Sequence, residues 1–450
     1  MKRALIFLAL SGAILLTACG GNGDTTSQST FNNGSGNQPY KPTTHLSHRA
    51  LITNYYAGDM AVMDATQNRL TSYTFSTGSL PTYMQSSPDG TLTLVNNTGS
   101  NSLSSFNNNT ESVKASVSLG GYTESFVTSK SNKLGFAAVP NYSNGTYRTP
   151  GAIVRFNPTD GSLNTQIQFP DVRYLGMDPQ EGHLIAFTSS AIVENKTAVY
   201  PAYWVDLTSL DPNTEVPPYY QLALEDSNGN AVTLDRPVAV FFSSDNTKAF
   251  ILSCGPECGG TVAPSVTEVD TTSITTPSPA STGAVLTATV LHVWSVKGAQ
   301  VGFFNSSTNI LYLAGSTGAT SVDSGGKTVN DGYFTGVDVT NTSSSYTPST
   351  IKIGNGTNRI IRSIGKTFWV GARNCGVQSC VTIVKADMSA QSQLATAQGD
   401  ATGISLQKNS GDVYTIEGGY FYMYDQSGNT VTSEYNTDIK GQTVDVIYID

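Results

Sequence analysis

The feature that most constrains this chain is a repeated strand ending. Eight times a strand-like run stops at Asp or Asn before a polar turn: Val62-Met63-Asp64, Ser105-Phe106-Asn107, Arg155-Phe156-Asn157, Trp204-Val205-Asp206, Glu268-Val269-Asp270, Gly336-Val337-Asp338, Lys385-Ala386-Asp387 and Met423-Tyr424-Asp425. Successive endings are 43, 50, 49, 64, 68, 49 and 38 residues apart. A short carboxylate or amide at such a position accepts a hydrogen bond from the backbone N–H two residues on and closes an Asx-turn. These acids are therefore expected to form turns rather than to catalyse. An earlier strand with its own tight turn also recurs, as in Tyr83 to Gly90, Phe126 to Lys133 and Tyr174 to Gly182.

Each unit thus holds four strands over about 40–65 residues, the period of a β-propeller blade. The expected fold is all-β: a β-propeller of four-stranded blades, eight by count, or seven if one marked unit decorates its neighbour. The first unit opens at Arg49 without an innermost strand, and Thr443 to Asp450 reads as an orphan one. The C-terminal strand should complete the first blade and so close the ring, removing its open edges. Composition agrees with this architecture. Charged residues are 13% of the 450-residue chain, against ~25% in ordinary soluble domains. That is too few for a coiled coil or helical array. The formal charge of −9 excludes the basic surface of a nucleic-acid binder. No apolar stretch of ~20 residues, as a membrane span needs, occurs beyond the N-terminus.

Lys2 and Arg3 precede an apolar run from Ala4 to Leu16, the pattern of a secretory signal. Leu16-Thr17-Ala18-Cys19 resembles the lipobox of bacterial lipoproteins. The resemblance implies cleavage before Cys19, acylation of Cys19 and, with Gly20 rather than Asp next, residence in the outer membrane, periplasmic or surface-facing. The Gly/Asn/Ser-rich stretch that follows reads as a flexible tether. The expected organisation is a signal peptide over 1–18, a lipidated tether over 19–48 and a propeller over 49–450. Loss of Lys2 and Arg3 with the signal takes the charge from −9 to −11. Such a body is repelled by anionic headgroups. Membrane contact is expected through the anchor only, and a polyanionic partner is disfavoured.

Ile52-Thr53-Asn54-Tyr55, Val62-Met63-Asp64-Ala65-Thr66 and Ser87-Pro88-Asp89-Gly90 followed by Leu94-Val95-Asn96 resemble YVTN-type propeller repeats. Those occur in bacterial lipoproteins, surface proteins and lactonase-like propellers, usually with seven blades. The resemblance is clear over 49–130 and 401–450 and diluted over 190–350.

Four cysteines besides Cys19 form two close pairs, Cys254/Cys258 and Cys375/Cys380. Three pairings are formally open. In an exported chain, close pairs read as local disulfides that pin loop shape. Metal binding is disfavoured because no His lies near them. Insertions at Asn141 to Pro150, Ala191 to Ala202, Gly255 to Ser265, Gly315 to Gly332 and Asn374 to Ser379 all fall between second and third strands. They should rim one face. The longer segments Leu207 to Asp235 and Thr271 to Gly283 should lie on the other. Tyr142, Tyr147, Tyr200, Tyr333 and Arg373 are candidate binding residues on the rim, because Tyr and Arg combine contact area with a polar tip.

Enzyme signatures are weak. His45 and His48 fall in the tether, and His183 and His292 fall at or within strands. Neither H-E-x-x-H nor G-x-S-x-G occurs. Asp226-Ser-Asn228-Gly-Asn230 starts like a calcium loop but lacks its central Gly and terminal Glu. Arg173, Arg236 and Arg362, on inner strands, are candidates for an anion site in the channel. No catalytic residue, metal or cofactor is predicted. The expected role is a monomeric binding or scaffold module for an envelope protein or glycan. The alternative is a lactonase-like or quinoprotein enzyme with its site at the central channel.

Overall fold

A computed structural model describes residues 39–143, 148–149, 151–169, 171–188, 192–194, 197–208, 216–277, 283–394, 399–408, 410–428 and 442–450. Among them no α-helix forms; strands and two short 3-10 turns account for the regular structure. Eight blades follow one another around a channel. In blade order, their innermost strands are Thr443–Ile449, Pro81–Ser86, Ser125–Thr128, Val172–Met177, Pro237–Phe242, Val301–Asn305, Thr357–Ile364 and Ala401–Leu406. Seven of the eight neighbouring pairs of inner strands pack side by side around the ring. Blades 2 and 3 also meet through Tyr83 stacked on Phe126, ring centroids 5.3 Å apart.

The C-terminal strand closes the ring as expected. Leu51 pairs with Val62 on one side and with Ile447 on the other. The count of eight stands. Seven blades show four strands and blade 8 shows three; its expected fourth, over 430–435, lies outside the described residues.

Burial explains the sequence pattern. Second and third strands are sandwiched between neighbouring blades, so both of their faces are covered. Arg49–Asn54, Leu92–Asn97 and Ala152–Phe156 are buried throughout. They read as continuous apolar or Ser/Thr/Asn runs, as strands covered on both faces do. Outer strands face solvent on one side and alternate, as in Arg69–Ser76. The core is accordingly a series of clusters between blades. One joins Phe136, Ile153 and Ile167 of blade 3 to Leu175, Leu184 and Val205 of blade 4.

All eight repeated acids and amides make the expected turn. The N–H two residues on donates to Asp64, Asn107, Asn157, Asp206, Asp270, Asp338, Asp387 and Asp425 at 2.8–3.0 Å.

Three features differ from the sequence reading. First, residues 39–48, assigned to the tether, lie against blade 1. Tyr40 bridges Thr71, its hydroxyl bonds Asp64, and the Arg69 guanidinium sits 4.6 Å from its ring centre. Tyr73 Oη donates to the Pro42 carbonyl at 3.1 Å, and Leu46 is buried. Tyr40, Pro42 and Leu46 supply the area and rigidity that the Gly/Ser-rich stretch lacks, so the packed body starts ten residues earlier. Cys19 and the signal lie outside the described residues. Second, Leu207 to Asp235 does not sit on one face. Tyr219–Glu225 is the outer strand of blade 4, and the chain beyond it returns to the opposite face. Third, that strand pairs in parallel with Val285–Ser295, the outer strand of blade 5, from Gln221↔Val285 to Glu225↔Thr289. Blades 4 and 5 therefore share one eight-stranded sheet.

Candidate functional site

In this up-and-down topology, the loops between second and third strands share a face with the connections between blades and the starts of the inner strands. The repeated Asx-turns occupy the other face. The loop-rich face carries the hairpins Tyr142–Ser143/Arg148–Thr149, Ile192–Glu194/Thr197–Val199 and Thr320–Val322/Thr328–Asn330. It also carries both cysteine pairs, each joined locally as a disulfide: Cys254–Cys258 and Cys375–Cys380.

These loops are braced by carboxylates that reach from one segment to the next. Asp235 accepts from the Thr261 and Val262 N–H groups at 2.6 Å. Glu257, in the first disulfide loop, accepts from Ser316 N–H of blade 6 at 2.6 Å. Asp323, in the blade 6 hairpin, accepts from Val377 N–H in the second disulfide loop at 3.0 Å. Asp400, at the entry to blade 8, accepts from Asn374 N–H at 2.7 Å. The rim of blades 5 to 8 is thus one connected band.

Inside the rim, the inner strands share a device. Register slips between first and second strands occur near the loop-rich face in blades 1, 2, 4, 5, 7 and 8. A β-bulge leaves one residue unpaired and re-aims its side chain. In blade 4 that residue is Arg173, between Val172↔Thr188 and Tyr174↔Phe187. In blade 7 it is Arg359, between Asn358↔Ala372 and Ile360↔Gly371.

The expected channel set is not brought together as one free cluster. Arg173 is held by Glu124 at 2.9 Å and Asp171 at 3.3 Å. Arg236 lies just before its strand at φ 56°, stacks 4.8 Å from the Tyr200 ring centre and reaches the Gly259 carbonyl at 3.4 Å. Arg362 donates to the Ile404 and Ile361 carbonyls and faces Asp445. Of the rim set, Tyr200 is buried beneath Arg236 and acts as its platform. Tyr333 is half-buried with Lys297 Nζ 5.3 Å from its ring centre. Tyr142 lines a cavity of about 330 Å³ between blades 2 and 3, with Asn101, Tyr122 and Asn141. Arg373 ends the second strand of blade 7, opposite Thr357. Tyr147 lies outside the described residues.

Sequence reasoning missed Arg359 and Glu257. The inner strand of blade 7 starts at Thr357 and carries Arg359 on its bulge, which no local mark in the sequence gives. The match to Arg173 shows only once that start is known. Burial pushes the Glu257 carboxyl up to about 7, opposed by its bond from Ser316 and by Arg359. Burial likewise raises Asp445 and Glu417 to about 7. Asp445 sits on the closing strand, where Oδ2 accepts from Met84 N–H of blade 2 at 2.7 Å.

The other motifs have structural roles. His183 bonds Asp178 at 2.8 Å and stacks on Trp204. His48 lies 3.1 Å from Tyr448 Oη. Asp226 accepts from the Asn228 and Asn230 backbone at 2.8 Å, closing its own turn. Among the described residues, no group of three His, Cys, Asp or Glu is placed to hold a metal, and no helix is long and apolar enough to cross a membrane.

The chain is an eight-bladed β-propeller. Its backbone resembles dihydro-heme d1 dehydrogenase NirN, solved in complex with DHE, at a TM-score of 0.59 and 13% identity over 91% of this chain and 77% of that one. Apo AztD from Citrobacter koseri matches at a TM-score of 0.55 and 10% identity over 89% of this chain and 97% of that one. At such identities the likeness is one of fold. No family model and no curated sequence matches the chain.

Proposed function

We propose that this protein is an outer-membrane lipoprotein whose propeller, built from repeats of the YVTN type, binds an envelope protein or glycan through its loop-rich face. One observation carries the reading. Every hairpin insertion and both disulfides lie on one face, and carboxylates link the loops of blades 5 to 8 into a band. Pre-ordered loops lose less conformational entropy on association, which favours binding. Rigid surfaces carrying Tyr and Arg are also where binding energy concentrates. The Cys19 motif supplies an anchor, and multiple acyl chains hold stably without a transmembrane helix.

The test is capture from envelope extract with the full mature chain. The double variant Tyr333→Ala/Arg373→Ala should lose the partner, whereas Asp387→Ala on the opposite face should keep it. Cys19→Ser should move the protein from the membrane to the soluble fraction. Equal capture by all variants overturns the binding face.

The enzyme alternative draws on Glu257, whose raised carboxyl beside Arg359 suits proton transfer. It predicts turnover of a lactone or alcohol substrate that Glu257→Gln abolishes.

A further inference from the structure

At the blade 7 end of the channel mouth, an exposed guanidinium lies beside side-chain atoms that have no hydrogen-bond partner among the described residues. Arg359 is exposed, is the bulged residue of its strand, and makes no hydrogen bond or ion pair with the described residues. Asn358, next to it, is 1% exposed, and neither Nδ2 nor Oδ1 has a hydrogen-bond partner. Glu257 lies close enough to the Asn358 backbone N–H to be affected by it, and its Oε1 is buried without a formed hydrogen bond. Each buried polar atom left unpaired costs about 1–3 kcal/mol. Unpaired buried atoms occur elsewhere in the ring too; here they adjoin a bulged guanidinium, where a ligand would complete them.

The charges select the ligand. Arg173 is neutralised by Glu124 and Asp171, and Arg373 is opposed by Asp400. Arg359 is opposed by Glu257 alone among these acids, and burial raises that carboxyl to about 7. The like charge of Arg359, after desolvation, lowers the Arg373 guanidinium, so an anion beside Arg359 relieves both. The carboxylates of Glu124, Asp171 and Asp400 repel a dianion more than a monoanion. A guanidinium fork matches a planar carboxylate in two parallel bonds. The Asn358 amide offers both a donor and an acceptor, which suits a hydroxyl or amide next to that carboxylate.

We propose that the mouth of the channel at blade 7 binds a small monocarboxylate bearing an adjacent hydroxyl or amide, with Arg359 on the carboxylate and Asn358 and Glu257 on the neighbouring group. The proposal rests on the loop-rich face being the binding face, but it concerns a small-molecule site inside the rim.

Calorimetry and thermal shift on the full chain test it, with L-lactate and N-acetylglycine as probes. Lactamide and inorganic phosphate serve as the neutral and dianionic arms. Both carboxylates should bind saturably, lactamide should not bind, and phosphate should bind at least tenfold more weakly. Arg359→Gln should weaken carboxylate binding at least tenfold, the loss expected for one charge-assisted hydrogen bond of about 1.5–3 kcal/mol. Arg359→Lys should recover only part of it. Lys366→Gln, which removes one positive charge from the opposite face, should change nothing. Equal affinity for phosphate, or unchanged affinity in Arg359→Gln, overturns the assignment, as does failure of both carboxylates to bind. Partner capture by Arg359→Gln separates the two readings. Retained capture with lost carboxylate binding supports both, and retained capture by a chain that never binds carboxylate overturns only this one.

Discussion

The two faces of this propeller are built from the same strands by different rules. On the turn face one local device repeats eight times, and each Asx-turn is complete within three residues. On the loop-rich face, the carboxylate bonds that brace the loops join residues 26 to 59 positions apart. The difference shows where each face gets its order. The turn face is ordered by its own sequence. The loop-rich face has two local staples, Cys254–Cys258 and Cys375–Cys380, but its loops are tied to one another only when the ring brings neighbouring blades together. Their ionisation differs too. Hydrogen bonds hold the turn-face carboxyls of Asp160, Asp245 and Asp387 below the ordinary range. Burial raises Glu257, Glu417 and Asp445.

The comparison can be broken most forcefully at the closing strand. Deleting residues 443–450 removes the innermost strand of blade 1 and the Asp445–Met84 link. Cooperative unfolding should be lost, and the exposed edge of Arg49–Asn54 should drive aggregation, read by calorimetry and size-exclusion chromatography. If the loop-rich face depends on closure, hydrogen exchange there should rise before exchange at the turn face does.

A second, smaller effect separates the carboxylates by pH. A folded pKa raised to about 7 stabilises below the ordinary carboxylate range, and that contribution is lost as pH climbs from about 4 to about 7. Asp445→Asn should therefore raise the melting temperature at pH 8 and flatten its decline above pH 4. The turn-face acids have the opposite sign. Asp387→Asn should lower the melting temperature slightly at pH 8, change nothing below the ordinary carboxylate range, and so flatten the loss of stability on acidification. A curve unaltered by either variant removes the contrast.

Smaller again is the cost of one turn. Asp338→Ala removes the acceptor for the Thr340 N–H and hydroxyl. By analogy with lost helix caps, it should cost about 1 kcal/mol in urea unfolding, and Asp338→Asn should restore most of that. The smallest global effect should come from Asp323→Ala, which releases the blade 6 hairpin from Val377. Global stability should hold within about 0.5 kcal/mol, while amide exchange at Val377 accelerates. A larger global loss would show that the rim supports the ring rather than resting on it.

Much of the architecture was legible in the chain, and for one reason: its markers are local. Asp or Asn before a polar turn, strands buried on both faces, and an unmatched strand at each end all act over a few residues. Those marks set eight blades and their closure. The low charge follows from the same plan, because inner and middle strands leave little solvent-facing surface for Lys and Glu. The close cysteine pairs were equally readable, since their loops join their own ends.

What the sequence could not determine depended on register and on neighbours. Arg359 rather than Arg362 is the unpaired residue of Thr357–Ile364, and only the bulge shows it. Residues 39–48 dock because Tyr40 and Leu46 find surfaces on blade 1 that exist only after folding. The parallel joint between blades 4 and 5, the carboxylate braces of the rim and the raised carboxyl of Glu257 each need groups from separate blades. Turns and strands are decided by nearest neighbours along the chain. The site is decided by nearest neighbours in space, and in this protein the closed ring supplies them.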